Sequence, residues 1–109
     1  MAAYKHDIII EQGVPFSLSF DLLDENGDLD QTAYTGAGKI RKHFNSTNAV
    51  SFTCVVNSGV FTLSMSAAVT ANVVAGRYVY DTEIYSPDSG ECLARPIAGI
   101  ATVTPEVTR

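Results

Sequence analysis

Tryptophan is missing from this sequence, and cysteine occurs only twice, at Cys54 and Cys92. The two cysteines form no CxxC motif, and no histidine stands near either at a metal-ligand spacing, which excludes a zinc knuckle and a redox motif. A disulfide is also unexpected if the chain folds in a reducing cytoplasm. We therefore predict two free, buried thiols and a core held together by apolar burial alone.

Basic residues are scarce as well: seven Lys and Arg stand against twelve Asp and Glu, so the formal charge is -5 and the pI is about 4.7. This is the wrong sign for binding phosphate backbones, so nucleic acid is not an expected partner. No long apolar run occurs, even in the uncharged segment between Phe44 and Gly76, so we expect no membrane span. Residues Met1 to Asp7 carry charge where a secretory signal needs an apolar core, which predicts folding in a cytoplasm.

Disorder is excluded by the same composition, because hydrophobic residues make up 46% of the chain and there are only 4 Pro and 8 Gly. A length of 109 residues is too short for two cores that are each stable on their own. The sequence therefore predicts a single domain that spans residues 1–109.

Catalytic motifs are missing too: the sequence has no nucleophile elbow, no phosphate-binding glycine loop and no HExxH. The only histidines, His6 and His43, lack partners at the spacing of a metal site or a catalytic relay. Next to the cations Lys39 and Arg41, His43 is expected on a solvated face. We predict no catalytic, cofactor-binding or metal-binding residues, no cofactor and no enzyme activity.

One acidic stretch, from Asp24 to Asp30, places oxygen ligands at alternate positions in the manner of a calcium loop. Its glycine, Gly27, stands at the fourth position instead of the sixth, and no bidentate glutamate follows at the twelfth. The stretch is better explained as a hairpin tip in which Asn26 and Gly27 supply positive φ angles.

Alternation of apolar and polar residues dominates the rest of the chain and predicts strands. In Phe16 to Leu22, for example, every second residue is apolar and predicts one buried face. Turn residues divide the pattern into segments spaced as in an antiparallel sandwich. The seven predicted strands are Asp7–Glu11, Phe16–Leu22, Gly38–Phe44, Val50–Val56, Val60–Met65, Arg77–Ser86 and Cys92–Val103.

One short helix interrupts the strands, because Ser66 precedes the alanine-rich run Ala67 to Asn72 and has the side chain of an N-cap. The segment Gly76 to Tyr80 then matches the Gly-x-Tyr-x-Cys pattern of immunoglobulin domains, with Tyr80 in the place of the cysteine. In that pattern the tyrosine, here Tyr78, anchors the preceding corner through its hydroxyl. The predicted fold is thus an all-β, immunoglobulin-like antiparallel β-sandwich of about seven strands with one short helix.

Several segments, in this order along the chain, resemble small tailed-bacteriophage virion proteins. They are Ile10–Phe20, the Asp24–Gly27 turn followed by Tyr34-Thr35 and Ile40-Arg41, Ser66–Ala71, Ala75–Asp81 and the closing Gly99–Arg109. The chain is also similar to the N-terminal attachment domain of baseplate upper proteins. The resemblance spans nearly the whole chain and implies a β-sandwich that belongs to the tail, baseplate or fibre region of a virion.

The resemblance implies a role in particle assembly and not in catalysis. The implied protein is a non-enzymatic structural component that assembles in the host cytoplasm and docks onto other virion structural proteins, as a homo-oligomer or ring. Edge strands and the terminal segments Met1–His6 and Thr104–Arg109 are the expected docking elements, and Tyr4 and Tyr85 are candidate interface residues.

Other functions stay open at this point. A neck or capsid-decoration protein belongs to the same class. A carbohydrate-binding module for host adsorption is a different class, which an exposed cluster of aromatic side chains would favour. An enzyme is a third class, because a sandwich can host chemistry without a sequence motif.

Overall fold

The alternating segments form two β-sheets in the computed structural model, which describes residues 4–43 and 49–106. These residues make ten strands and one short helix, so the fold is an all-β sandwich. The strands are β1 (Tyr4–Lys5), β2 (Ile8–Glu11), β3 (Phe16–Asp21), β4 (Thr35–Arg41), β5 (Ala49–Ser51), β6 (Thr53–Asn57), β7 (Val60–Met65), β8 (Gly76–Tyr85), β9 (Cys92–Ala94) and β10 (Ile97–Thr104). Helix α1 (Ala67–Ala71) connects β7 to β8.

The strand order is that of an immunoglobulin domain. In the smaller sheet the order is β3-β7-β6, and these are the counterparts of strands B, E and D. The larger sheet has the order β1-β10-β8-β4-β5, in which β4, β8 and β10 are the counterparts of C, F and G. Strand β2 also pairs with β10, and β9 pairs with β8.

Both N-terminal strands run parallel to β10, whereas we expected an entirely antiparallel sandwich. Between β1 and β2 the chain leaves the ladder, because the carbonyl of His6 accepts a hydrogen bond from the Tyr80 hydroxyl. Beside it, Asp7 Oδ1 accepts a hydrogen bond from the Ile100 backbone N–H at 3.0 Å. Only glycine fits at position 99, since a Cβ there would lie 2.6 Å from the His6 carbonyl oxygen. The replacement of the usual cysteine by Tyr80 thus ties the N-terminal segment to the larger sheet.

Two of the seven predicted strands are divided in the structure, and β1 is additional. The fourth predicted strand breaks at the buried Phe52, whose N–H donates to the Gly38 carbonyl at 2.9 Å while the chain crosses from one sheet to the other. The seventh breaks at Arg95-Pro96, because proline has no N–H to donate. The third predicted strand begins three residues earlier, at Thr35, and its predicted end at Phe44 lies outside the described residues.

The core lies between the two sheets and is built from the side chains that the alternation placed inward. Its least exposed large residues are Ile10, Ile40, Phe61, Leu63 and Val103. Aromatic contacts add to this burial: the Phe20 and Phe61 rings stack at a centroid distance of 4.9 Å. Apolar packing thus takes the place of the disulfide and tryptophan of antibody domains.

The predicted helix cap and tyrosine anchor are both confirmed. Ser66 accepts a hydrogen bond from the Val69 N–H through its side chain and caps α1. The Tyr78 hydroxyl donates to the Val74 carbonyl at 2.6 Å, four residues upstream, and so fixes the corner that leads into β8.

The Asp24–Gly27 turn differs in one detail from the prediction, because only Gly27 has a positive φ angle there and Asn26 does not. The Gly27 N–H donates to the Asp24 carbonyl at 3.0 Å, and Asp24 Oδ1 accepts from the N–H groups of Asn26 and Asp28. The Asp24 carboxylate therefore orders this hairpin tip by capping its backbone donors.

Candidate docking site

The two cysteines were both predicted to be buried, and for Cys92 this prediction is wrong. Cys54 is half-buried on the inward face of β6, and burial raises the pKa of its thiol to about 11. Cys92 is exposed because it lies on the three-residue strand β9 at the margin of the larger sheet, with its Sγ 3.5 Å from a carboxylate oxygen of Glu83. Both thiols are free.

The two histidines lie on separate segments, His6 between β1 and β2 and His43 just after the end of β4. Both have exposed side chains, and the contact that His6 makes with Tyr80 is through its backbone. Within residues 4–43 and 49–106, no three His, Cys, Asp or Glu side chains are grouped so that they could hold a metal ion.

A shallow cleft of about 700 Å³ crosses the outer face of the larger sheet, where β8 and β10 run side by side. Its apolar floor includes Val79 and Ile100, and its rim carries Asp81 and Arg95. Arg95 contacts carboxylate oxygens of Glu83 at 3.1 Å and of Asp81 at 3.7 Å. Burial raises the pKa of Asp81, and the neighbouring Glu83 adds to this effect. One guanidinium thus contacts two carboxylates here, in partly exposed ion pairs of the kind found on solvated surfaces.

A second depression lies on the open side of the sandwich, between β3 and the N-terminal strand β1. It has a volume of about 450 Å³ and continues into a smaller depression of about 150 Å³, with which it shares Tyr4, Phe20 and Ile97. We call this continuous depression the β3 groove. Strand β3 and the residues after it form one bank, and the residues around β1, β9 and β10 form the other. The lining is mostly apolar and includes Leu18, Phe20, Leu22, Tyr4, Leu93 and Ile97.

The groove exists because β3 lacks a neighbour on one side. Among the described residues β3 pairs with β7 alone, in the register Leu18 to Leu63 and Phe20 to Phe61. In an immunoglobulin domain the first strand covers this edge, but here β1 and β2 both pair with β10 in the other sheet. The edge of β3 is therefore unpaired along the groove.

Large apolar side chains around the groove are exposed to an extent that is unusual for such residues. Tyr4 is 72% exposed, Leu23 59% and Leu93 50%. The apolar side chains that β3 itself points inward, Leu18 and Phe20, are only half-buried. Apolar patches of this kind, with a polar rim, are typical of interaction surfaces.

One end of the groove is acidic. The Asp30 carboxylate accepts hydrogen bonds from the Tyr34 hydroxyl at 2.6 Å and from the Thr32 N–H at 3.1 Å, and the bond from Tyr34 contributes most to the lowered pKa of Asp30. Asp21 is exposed beside it, and the hairpin that follows adds Asp24, Glu25 and Asp28. No lysine or arginine occurs between Asp21 and Asp30, so a negative potential develops at this end.

The candidate interface residues have different surroundings. Tyr4 lies in the groove wall, whereas Tyr85 is half-buried on β8, away from the groove lining. The Tyr85 hydroxyl donates to Glu83 Oε1 at 2.7 Å, which raises the pKa of Tyr85 to about 12. Of the terminal segments, residues 1–3 and 107–109 lie outside the described part of the chain. The sequence did not predict that β3 has an unpaired edge, because apolar-polar alternation is the same in edge strands and central strands.

Comparison with known proteins adds little to this geometry. No family model matches the chain, and no curated protein matches it. Among solved structures, an internalin-like protein of Listeria monocytogenes aligns with 95% of this chain at 16% sequence identity and a TM-score of 0.44. The alignment covers 28% of that protein, so the chain spans less than a third of its length. In the described ranges, no helix is long and apolar enough to cross a membrane.

Proposed function

We propose that this protein is a non-enzymatic structural component of a phage virion that acts by docking onto other virion proteins. The resemblance of Ile10–Phe20, Ala75–Asp81 and Gly99–Arg109 to tailed-phage virion proteins supports the virion role. Tail, baseplate or fibre attachment is its place in the particle. The structural observation that favours docking is the unpaired edge of β3 beside exposed apolar side chains.

The edge of β3 is unusual for a protein that has no partner. Natural sheets protect their edges with lysine, proline, bulges or very short strands. Strand β3 has six residues, pairs with β7 without a bulge, and carries no charge or proline from Phe16 to Phe20. Five uncharged residues in a row along an unpaired edge promote pairing with another chain. Because a protein of this size offers little area per contact, several copies around a symmetric axis give the docking its strength.

The test is to quantify the protein by mass spectrometry in gradient-purified particles of the phage that encodes it, relative to the major capsid protein. A non-structural phage protein of similar abundance in the infected cell serves as the control for carry-over. About three to twelve copies per particle are expected for a tail, baseplate or neck position, where symmetric rings have that size. Hundreds of copies would instead place it in the tail tube or on the capsid, and absence from the particles would overturn the virion role.

A further inference from the structure

We propose that the β3 groove binds an extended segment of a partner protein, which adds to the edge of β3 as a fourth, antiparallel strand of the smaller sheet. The segment is apolar at every second residue and has a lysine or arginine at its N-terminal end. The proposal rests on the proposed function only in naming the source of the segment, which is another virion protein. The binding itself rests on the groove.

The backbone of β3 offers regularly spaced hydrogen-bonding groups to such a segment. The Leu22 N–H donates to the Gly59 carbonyl at 2.7 Å, on the side where β3 pairs with β7. Since backbone groups alternate in direction along an antiparallel strand, the N–H and C=O groups of Leu18 and Phe20 also face β7. Those of Ser17, Ser19 and Asp21 therefore face the open edge. Each of these three residues thus has a backbone N–H and a backbone C=O that can pair with an added strand.

The burial of the side chains also indicates that a strand is missing beside β3. On β7 the inward side chains of Phe61 and Leu63 are fully buried, whereas their direct partners on β3, Phe20 and Leu18, are only half-buried. A strand that pairs with β3 points every second side chain between the two sheets, onto these residues and toward Ile97 across the groove. Apolar residues at those positions would complete the burial of Leu18 and Phe20.

Charge sets the direction and the end residue of the segment. The two neighbouring pairs of this sheet, β3-β7 and β7-β6, are antiparallel, and antiparallel pairing is the more stable kind. An antiparallel segment begins near Asp21, at the acidic end of the groove, so a lysine or arginine there meets Asp21 and Asp30. A second copy of this chain fits less well, because each copy carries a formal charge of -5.

The length of β3 sets the length of the segment. Six residues at a rise of about 3.4 Å give an edge of about 20 Å, which matches a segment of about six or seven residues. The test probe is a synthetic peptide of the sequence Arg-Thr-Val-Thr-Val-Thr-Val, acetylated and amidated. A peptide of equal composition without alternation, Arg-Val-Val-Thr-Thr-Thr-Val, is its control.

Backbone amide exchange of the full-length protein is the decisive measurement, because it separates strand addition from apolar adhesion. With the alternating peptide bound, we expect slower exchange at the amides of Ser17, Ser19 and Asp21, and little change at Leu18 and Phe20. The control peptide is expected to bind about tenfold more weakly, since several cross-strand side-chain contacts are lost. Binding without protection of these three amides would overturn strand addition, as would failure of the alternating peptide to bind.

Variants of the groove wall test where the peptide binds. Replacing Tyr4 and Leu93 by serine removes exposed apolar side chains from the groove and is expected to weaken peptide binding about tenfold. The matched control replaces Val55 and Val74, which are 55% and 75% exposed and line neither part of the groove. If the control weakens binding as much as the groove variant, the peptide binds elsewhere and the proposal is wrong.

Asp21→Asn tests the charge. This variant is expected to remove most of the preference for the arginine peptide over a peptide with threonine in place of the arginine, while both still protect Ser19. An unchanged preference would contradict the assigned direction. The protein alone is measured by light scattering, and a stable oligomer that is lost on Tyr4→Ser and Leu93→Ser would make a second copy the occupant and overturn the partner assignment.

The outcomes of this experiment and of the particle analysis are separable. Peptide binding by a protein that is absent from virions leaves the groove site in place and removes the virion role. A protein that is present in virions but binds no peptide docks through another surface, such as the cleft on the larger sheet.

Discussion

Strands β3 and β7 lie side by side in the smaller sheet and have closely similar patterns, but they differ in burial. Their inward residues are direct partners in the register: Phe20 stacks on Phe61, and Leu18 faces Leu63. The β7 residues are fully buried, whereas those of β3 are half-buried beside an open groove. The difference comes from the neighbours: among the described residues β7 has a strand on each side, whereas β3 has a strand on one side only.

This comparison shows how position in a sheet, and not residue type, sets what an apolar side chain contributes. A leucine in the centre loses all its contact with water, while its partner at the edge keeps part of its surface exposed. The exposed part of the edge side chain can be buried when a partner binds. Leu18 and Leu63 are direct partners in the sheet, so variants of the two can distinguish a contribution to stability from a contribution to docking.

The largest expected effect is the cost of Leu63→Ala, which removes a fully buried side chain. We expect it to lower the free energy of unfolding by about 3–5 kcal/mol, because the lost burial is joined by a cavity. Leu18→Ala, at the half-buried position opposite, is expected to cost only about 1–2 kcal/mol, since water fills the gap. Urea unfolding of both variants measures the difference. Equal costs would mean that β3 is covered in solution as fully as β7.

The cysteines extend the comparison to β6, the other neighbour of β7. Cys54 lies opposite Leu63 and its pKa is raised to about 11 by burial, whereas Cys92 is exposed. Because the thiolate is the reactive form, we expect Cys92 to be alkylated first and Cys54 at least about tenfold more slowly at neutral pH. Peptide mapping by mass spectrometry after a timed reaction with iodoacetamide reads both rates. Faster modification of Cys54 would show that the β6 edge opens more readily than its burial indicates.

A smaller effect concerns the acidic end of the groove. The pKa of Asp30 is lowered chiefly by the hydrogen bond from the Tyr34 hydroxyl, so the ionised form favours folding. This contribution is present above the unfolded pKa of Asp30 and is lost as the pH falls through the folded value. Tyr34→Phe is expected to raise the pKa of Asp30 toward 3.8, its ordinary value, and to reduce the acid sensitivity of unfolding. Carboxyl chemical shifts in an NMR titration of the variant and of the parent protein measure the change.

The smallest expected effect is at the solvent face of the same pair of strands. The Ser19 and Thr62 hydroxyls form a hydrogen bond of 2.8 Å that is exposed to water. Ser19→Ala is expected to change the free energy of unfolding by no more than about 0.5 kcal/mol, because water replaces the lost partner. Thermal or urea unfolding checks this value. A cost close to that of Leu18→Ala would mean that the outer face of the sheet contributes as much as the inner face at this edge.

Much of the fold was predictable from local patterns. Alternation located all seven predicted strand regions, Ser66 located the helix, and the segment around Tyr78 predicted the anchored corner. Each of these features depends on residues close together in the sequence. The break of the fourth predicted strand at Phe52 was missed, because it depends on a hydrogen bond to Gly38 of the neighbouring strand β4 and not on the local alternation.

The candidate site was less predictable than the fold. Tyr4 was expected at an interface and lies in the wall of the β3 groove, but nothing local distinguished β3 from β7 as an edge. The exposure of Cys92 was also missed, since it depends on the short pairing of β9 with β8 at the sheet margin. Both properties are set by which strand lies next to which.

By itself, then, the sequence determined most of the extended segments, the apolar side of each, most of the turns and the negative charge. These properties follow from the two-residue repeat of a strand and from side-chain chemistry. Tertiary structure alone decided that β1 and β2 join β10, because this pairing is made by hydrogen bonds between backbone groups near opposite ends of the chain. Because both strands pair with β10, one edge of β3 stays unpaired among the described residues, and the groove lies along that edge.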